Sequence, residues 1–285
     1  MATTEDLPKA WRPPMGWNSW DSYGTTVAER EVLANARFMA EHLKDAGWDT
    51  IVVDIDWYDP TARAHGYNAN APLILDEYGR QLPDPERFPS AADGHGFAPL
   101  AEQIHAMGLK FGVHMMRGIP RLAVDNNLPV KGTPYTAQEV ADLNHVCKWN
   151  SDNYGLNHNH SGAQAWYDEQ LDLFASWGLD FLKVDDMQTP FHSAEILRHI
   201  GAELQQRHKV VAVYADGAVD SLFGRRGCVG VVGRALIMGG QHILDVLRRD
   251  LFLRHHAPWQ IIGARREIGI GAVPCEGVGV EMAQH

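Results

Sequence analysis

A lysine and two adjacent aspartates interrupt a short apolar segment at residues 181–187 (FLKVDDM). Ionised side chains are costly to bury unless they are paired or used in chemistry. Alternate side chains of a β-strand face the same side, so Lys183 and Asp185 should share one face and Asp186 should point away. A carboxylate beside a cation stays ionised at neutral pH. Asp185 is therefore a candidate functional residue, and a structural ion pair with Lys183 or a nearby arginine is the alternative.

Polar side chains also stand near the ends of other apolar segments. Asp21 follows the first segment, Asp54 and Asp56 lie in the second (TIVVDIDW), and His114 and Arg117 end the third. The carboxyl ends of parallel strands lie at one edge of a sheet, so these side chains are expected to meet there. Strand alternation would place Asp54 and Asp56 on the same face.

The elements that must position these residues alternate between strand and helix. Strands are predicted at residues 15–20, 50–57, 109–118 and 179–187, and helices at 26–48, 97–108 and 163–178. Thr26 and Glu29 have the spacing of a capping box at the start of the first helix. This order predicts an α/β fold with a parallel sheet, whose common large form is the (β/α)8 TIM-type barrel.

Composition excludes some classes of partner. Apolar residues make up 45 % and charged residues 21 % of the 285 residues, as in ordinary folded domains. The net charge of −11 argues against nucleic acid, and no apolar run approaches the roughly 20 residues that span a bilayer. No secretory signal is visible at the start. The three cysteines form no CxxC pair, which predicts a cytoplasmic location.

Five segments, in order, resemble the retaining α-galactosidases of glycoside hydrolase family 27 over about residues 11–190. They are MGWNSWDSYG, VVDIDW, DPERFP, GLKFGVH and FASWGLDFLKVDD. The resemblance implies a barrel enzyme that cleaves terminal α-galactosides or a related sugar by double displacement. It implies a carbohydrate substrate and neither a metal nor an organic cofactor.

The resemblance also implies roles for individual residues. Asp185 matches the family's catalytic nucleophile, and Lys183 matches the lysine that contacts the sugar. Asp54 matches the first of two acids that bind sugar hydroxyls. Of the two tryptophans of the first segment, Trp20 lies nearer the strand end than Trp17 and is expected to line the pocket.

The sequence departs from the family pattern at three positions. Asp56 stands one residue later than the family's second acid, although it is still expected to bind substrate. His114 occupies a position that is often tyrosine, and Met187 replaces a frequent cysteine. The histidine leaves the exact sugar open, and the loss of the cysteine agrees with a cytoplasmic protein.

The resemblance ends at about Glu195. The first 196 residues carry 14 basic and 28 acidic residues, and residues 197–285 carry 11 and 8. We predict a family-27-like first half of a barrel over 1–196 and a divergent tail over 197–285, in which neither the family's acid/base element nor its C-terminal β-domain is recognisable. The second half of the barrel is thus incomplete or divergent. Asp216, Asp220 and Asp245 are candidate acids, and the general acid/base stays unassigned.

Two other functions are open from the sequence. One is an inactive carbohydrate-binding remnant that keeps the pocket without the proton donor. The other is a metal-assisted barrel hydrolase that uses Asp54, His114 and Asp185. An incomplete barrel would expose strand edges and apolar surface, which predicts poor solubility or association of the chain, for example as a homo-oligomer. No nucleic-acid or membrane partner is expected.

Overall fold

The computed structural model describes residues 15–63, 66–186, 192, 194–196 and 198–200, together with the backbone of 212–215 and 235–237. Its centre is a six-stranded sheet. The strands, in their order across the sheet, are β1 (Gly16–Asn18), β2 (Thr50–Val53), β3 (Lys110–Met116), β7 (Phe181–Asp185), β8 (Ala212–Ala215) and β9 (Ala235–Ile237). The first five are parallel, and β9 runs antiparallel to β8.

The centre of the sheet is apolar on both faces. All four residues of β2 are buried, as expected for a parallel strand covered on both sides. Gly112 permits the close approach of β3 and β7, because a Cβ atom at this position would lie 2.6 Å from the carbonyl oxygen of Phe181. In the resulting register, His114 lies beside Lys183 and Met116 beside Asp185.

Three longer helices connect the parallel strands. They are α2 (Glu29–His42), α3 (Ala98–Ala106) and α6 (Gly162–Ser176). The predicted capping box of Thr26 and Glu29 is wrong, because α2 begins at Glu29 and the Ala28 N–H donates to the carboxylate of Glu31 at 2.9 Å. Glu29 instead accepts a hydrogen bond from the backbone N–H of Ser90.

Shorter elements shape the connecting segments. The helical turns are α1 (Trp20–Tyr23), α4 (Arg121–Asp125) and α5 (Ala137–Val140), with 3-10 turns at Lys44–Ala46 and Pro89–Gly94. The connection between β3 and α6 contains a second sheet. Its strands are β4 (Ile119–Pro120), β5 (Ala141–Asp142) and β6 (Asn153–Leu156), in the antiparallel order β4-β6-β5.

An aromatic cluster centred on Trp57 fills the core below the carboxyl edge of the sheet. The indole of Trp57 is fully buried and makes edge contacts with Phe97, Phe174 and Trp177. Its N–H donates to the backbone carbonyl of His114 at 2.9 Å. Trp57 is therefore a core residue that anchors β3, not a surface for sugar.

The described elements agree with the α/β fold that the sequence predicts. Strand β8 pairs in parallel with β7. The closure of an eight-stranded barrel stays a prediction, as do the boundaries of 1–196 and 197–285. Within the described ranges, no helix has the length and apolarity needed to cross a bilayer.

Candidate active site

Four predicted site residues meet at the carboxyl edge of β2, β3 and β7. Asp54 directly follows β2, His114 lies in β3, and Lys183 and Asp185 lie in β7. The Nζ atom of Lys183 donates to Oδ2 of Asp54 at 2.9 Å. The Nε2 atom of His114 lies 3.2 Å from Oδ2 of Asp185, where its N–H can donate to the carboxylate. Residues separated by 129 positions in the sequence thus form one cluster.

The carboxylate of Asp185 is the more accessible of the two acids in this cluster. Its side chain is 13 % exposed, whereas the side chain of Asp54 is 2 % exposed and that of His114 is fully buried. A nucleophile must contact substrate, whereas supporting groups need only hold their partners in place. Of the two carboxylates, Asp185 is therefore the one that a substrate can reach more easily.

The surroundings keep both acids ionised. Burial alone would raise the pKa of Asp185, but the hydrogen bond and charge of His114, together with the charge of Lys183, outweigh burial and lower it. The pKa of Asp54 is likewise lowered despite burial, by the charges of His114 and Lys183 and by the hydrogen bond from Lys183. Both carboxyls are thus negative at neutral pH.

Strand β1 positions Asp54 through a serine that the sequence reasoning missed. The backbone N–H of Ser19 donates to the carbonyl of Val52 at 3.1 Å. The hydroxyl oxygen of Ser19 accepts the backbone N–H of Asp54 at 2.9 Å. These bonds join the ends of β1 and β2 and fix the backbone from which the Asp54 carboxylate reaches Lys183. A lone serine after a short strand gave no signal in the sequence.

Asp56 occupies a different environment from Asp54. The expectation that strand alternation would bring the two together is wrong, because β2 ends at Val53 and Asp56 has a φ of 67°. Its buried carboxyl forms a side-chain hydrogen bond with Asp152 and lies near Asp59. Burial and these two acids raise the pKa of Asp56 to about 9. A role for Asp56 in substrate binding stays a prediction.

A buried ionic network lies on the other side of Asp185. Asp186 faces Arg117 instead of His114. The Nε atom of Arg117 lies 2.9 Å from Oδ2 of Asp186, and the two groups form an ion pair without a well-directed hydrogen bond. The Arg117 guanidinium also donates to Glu195 at 3.1 Å, contacts Nε2 of His192 at 2.9 Å and bonds the carbonyl of His145. The network links the end of β3 to the residue that follows Asp185.

Three aromatic rings from the segments that follow β1, β2 and β3 pack against one another. Trp20 and Tyr67 are stacked with ring centroids 5.8 Å apart and planes 14° apart. The ring of Tyr67 also packs against Trp149, at 5.3 Å and 50°. Trp20 was a predicted pocket residue, whereas Tyr67 and Trp149 lie on loops whose meeting the sequence did not indicate.

The other candidate residues are placed as follows. The three tail aspartates considered as proton donors lie outside the described residues. His158 and His160, in the histidine-rich loop at 157–160, contact His199 through a backbone carbonyl and the ring of Tyr135, respectively. In the part of the chain that the structure describes, no group of three or more His, Cys, Asp or Glu side chains is arranged to hold a metal ion. The described residues therefore give no support to the metal-assisted hydrolase considered from the sequence.

A parallel β/α sheet with acids at its carboxyl edge is the architecture of barrel hydrolases. Solved structures agree with this class. The family 27 β-L-arabinopyranosidase from Geobacillus stearothermophilus is 48 % identical to the chain with a TM-score of 0.70, over 73 % of the chain and 48 % of that structure. A Bacillus halodurans C-125 protein provisionally named an α-N-acetylgalactosaminidase is 50 % identical with a TM-score of 0.69, over 74 % and 50 %.

Sequence comparison points to the same family. The α-galactosidase mel1 of Schizosaccharomyces pombe is 30 % identical over 176 residues, which are 61 % of the chain and 28 % of that protein. The chain thus spans about half the length of the similar structures and less than a third of this relative. No family model matches the chain. The predicted resemblance to glycoside hydrolase family 27 is confirmed over this part of the sequence, and the likeness implies a (β/α)8 barrel core.

Proposed function

We propose that the chain is a retaining glycoside hydrolase that acts on terminal α-D-galactosides or β-L-arabinopyranosides, with Asp185 as the nucleophile. The observation that carries the proposal is the placement of Asp185: an ionised, partly exposed carboxylate at a strand end, beside the Lys183–Asp54 pair. The two sugars share the same ring configuration, and arabinopyranose lacks only the hydroxymethyl group. One pocket could therefore accept either.

Each side chain of the cluster would have a role in a double-displacement reaction. Asp185 attacks the anomeric carbon and forms a covalent glycosyl-enzyme while the bond to the leaving oxygen breaks. The His114 ring donates to Oδ2 and the backbone N–H of Asp186 donates to Oδ1 at 2.6 Å, so two hydrogen bonds orient the carboxylate for attack. Lys183 and Asp54 offer a donor and an acceptor for sugar hydroxyls. The leaving oxygen takes a proton from a general acid that is not assigned, and water then releases the sugar from Asp185.

The names of the similar proteins support the substrate class. The structure at 48 % identity is a β-L-arabinopyranosidase, and the relative at 30 % identity is an α-galactosidase. Ile55 stands between Asp54 and Asp56 and is buried, so the acid pair of the α-galactosidase pattern is not reproduced at adjacent positions. The proposal therefore includes both sugars instead of galactose alone.

A panel of glycosides tests the activity and separates an enzyme from an inactive remnant. Nitrophenolate departs with little protonation, whereas methanol requires a general acid. We expect hydrolysis of nitrophenyl α-D-galactoside or nitrophenyl β-L-arabinopyranoside, abolished in Asp185→Asn. Hydrolysis of the methyl glycosides as well would show that a proton donor is present. Sugar binding without turnover of any glycoside would establish the remnant and overturn the proposal.

A further inference from the structure

Asp186, the residue that follows the proposed nucleophile, has an unusual backbone conformation. Its φ is 60°, in the left-handed region that few residues other than glycine, asparagine and aspartate adopt. The backbone N–H of Asp186 donates to Oδ1 of Asp185 at 2.6 Å. The peptide group between the two aspartates thus holds one oxygen of the Asp185 carboxylate.

Arg117 contacts both residues of this peptide group. Its Nε atom lies 2.9 Å from Oδ2 of Asp186, and the two side chains are 1 % and 4 % exposed. Its backbone N–H donates to the carbonyl oxygen of Asp185 at 3.4 Å. A positive φ costs free energy in a residue that is not glycine, and it persists where surrounding contacts hold the residue in place. The contacts of Arg117 can supply that support.

Arg117 is itself fixed by buried partners. Its guanidinium donates to Glu195 at 3.1 Å, and the other carboxylate oxygen of Glu195 accepts the hydroxyl of Tyr167 at 2.5 Å. The backbone carbonyl of Arg117 accepts a side-chain N–H of Asn153, in β6, at 3.0 Å. An arginine held at its backbone and at its guanidinium has little freedom to move, so it provides a fixed support for Asp186.

We propose that the ion pair of Arg117 and Asp186 positions the Asp185 carboxylate for attack, through the backbone N–H of Asp186. The inference rests on the proposed function, in which Asp185 is the nucleophile. Arg117 and Asp186 are almost fully buried and act through Asp185, so they are positioning residues and not catalytic residues. The N–H of Asp186 is also one of the groups that lower the pKa of Asp185.

A purely structural ion pair would behave differently. Its loss would reduce the fraction of folded molecules, but the molecules that stay folded would keep the reactivity and the pH dependence of the parent. Loss of a positioning ion pair changes the folded molecule itself. The carboxylate then lacks one hydrogen bond, so it attacks more slowly and ionises at a higher pH.

Covalent labelling of the full chain distinguishes the two roles. A fluorinated glycosyl fluoride of galactose or arabinopyranose reacts with a retaining nucleophile and releases fluoride without a proton donor. The variants to compare are Asp186→Asn and Asp186→Ala, which both lose the charge. Asparagine tolerates a positive φ and can accept a hydrogen bond from Arg117, whereas alanine does neither. We expect the first-order labelling rate constant to be about tenfold lower in Asp186→Ala than in Asp186→Asn, at a similar half-saturating concentration.

The pH profile of labelling separates the hydrogen bond from the charges around it. The acidic limb should lie at higher pH in Asp186→Ala than in Asp186→Asn, because the alanine variant alone loses the N–H bond to the ionised carboxylate. The other charged or titratable groups around Asp185 are the same in both variants: His114, Arg117, Lys183, Asp54 and Tyr67.

Two further variants control the interpretation. Asp93→Ala places alanine at an exposed position with a φ of 58°, so the same backbone strain arises away from Asp185 and labelling should not change. Asp186→Gly accepts a positive φ without strain but cannot contact Arg117. It should label as slowly as Asp186→Ala, and it replaces that variant if Asp186→Ala does not fold.

The outcomes separate this inference from the proposed function. If Asp186→Ala or Asp186→Gly matched Asp186→Asn in rate constant and pH profile, the positioning role would be overturned while the proposed function remained. If neither reagent labelled the parent chain, the proposed function would be overturned as well.

Discussion

Asp54 and Asp56 are two positions apart but differ in protonation because their partners differ. Asp54 faces the ammonium group of Lys183, and its pKa is lowered. Asp56 faces Asp152, and burial together with this second acid raises its pKa to about 9. The pair of Asp56 and Asp152 therefore holds a proton at neutral pH, since two buried carboxylates in contact repel each other.

The raised pKa of Asp56 predicts a pH dependence of folding stability. Between about pH 4 and pH 9 the folded chain retains a proton that the unfolded chain has lost, so the free energy of unfolding falls as pH rises. Asp56→Asn removes this contribution. In chemical denaturation at several pH values, the variant should lose stability less steeply, by at most roughly 1.4 kcal/mol per pH unit.

Asp93→Asn is the matched control, because Asp93 is exposed and also has a positive φ, 58° against 67° for Asp56. Asparagine is tolerated in this conformation, so neither change strains the backbone. The control should follow the pH dependence of the parent. If the free energy of unfolding fell equally steeply with pH in the parent and in Asp56→Asn, the result would contradict the raised pKa of Asp56.

His114 predicts a pH dependence of catalysis. Its hydrogen bond and charge lower the pKa of Asp185. Among the described residues, its Nδ1 atom has no hydrogen-bond partner, so the one side-chain hydrogen bond that His114→Phe removes is the bond to Asp185, together with the ring charge that acts on Asp185 and Asp54. The acidic limb of the kcat/KM profile should therefore move to higher pH, since that limb reports ionisation of the free enzyme's nucleophile.

A second histidine–carboxylate pair serves as the comparison. His105 lies 2.7 Å from Asp180 on the surface, away from the carboxyl edge of the sheet. His105→Phe should not shift the acidic limb of the pH profile of kcat/KM. An unshifted acidic limb in His114→Phe would show that His114 does not control the ionisation of Asp185.

At the scale of elements, Arg117 holds the ends of two strands in place. It lies just beyond β3 and pairs with Asp186, which follows β7, and with Glu195. These charges are almost fully buried. A buried ion pair adds little over an apolar pair, but loss of one partner leaves an uncompensated charge.

Arg117→Met is therefore expected to lower the free energy of unfolding by about 3–5 kcal/mol, as measured by denaturation at neutral pH. Arg30→Met is the control: Arg30 pairs with Glu31 on the surface, where ion pairs contribute little, and stability should hardly change. Similar effects of the two substitutions would show that the Arg117 network does not stabilise the strand ends.

The sequence predicted the strands better than the segments that follow them. Continuous apolar runs identified β2, β3 and β7, but β2 ends at Val53 and not at residue 57. Asp56 could not be placed from strand periodicity because it lies beyond the strand and contacts Asp152, 96 positions away in a long connection. Tyr67 and Trp149 were missed for the same reason: contacts between distant loops leave no local pattern.

At the scale of the whole molecule, the chain matches its relatives over the part that carries Asp185. The matched region covers 73 % of the chain but 48 % of the arabinopyranosidase structure. The strand-end acids and Lys183 were predictable because each belongs to a segment with a recognisable motif. The general acid, the homo-oligomer and the cytoplasmic location stay predictions.

Covalent labelling of the full chain tests the central claim most directly. A mechanism-based fluorinated galactosyl fluoride transfers its sugar to the nucleophile, and fluoride departs without a proton donor, so the unassigned acid does not affect the result. Intact mass should increase by one fluorinated galactosyl group, and peptide mapping should place that group on Asp185. Asp185→Asn should remain unlabelled. A parent chain left unlabelled by both this reagent and the matching fluorinated arabinopyranosyl fluoride, or a label on another residue, would contradict the account.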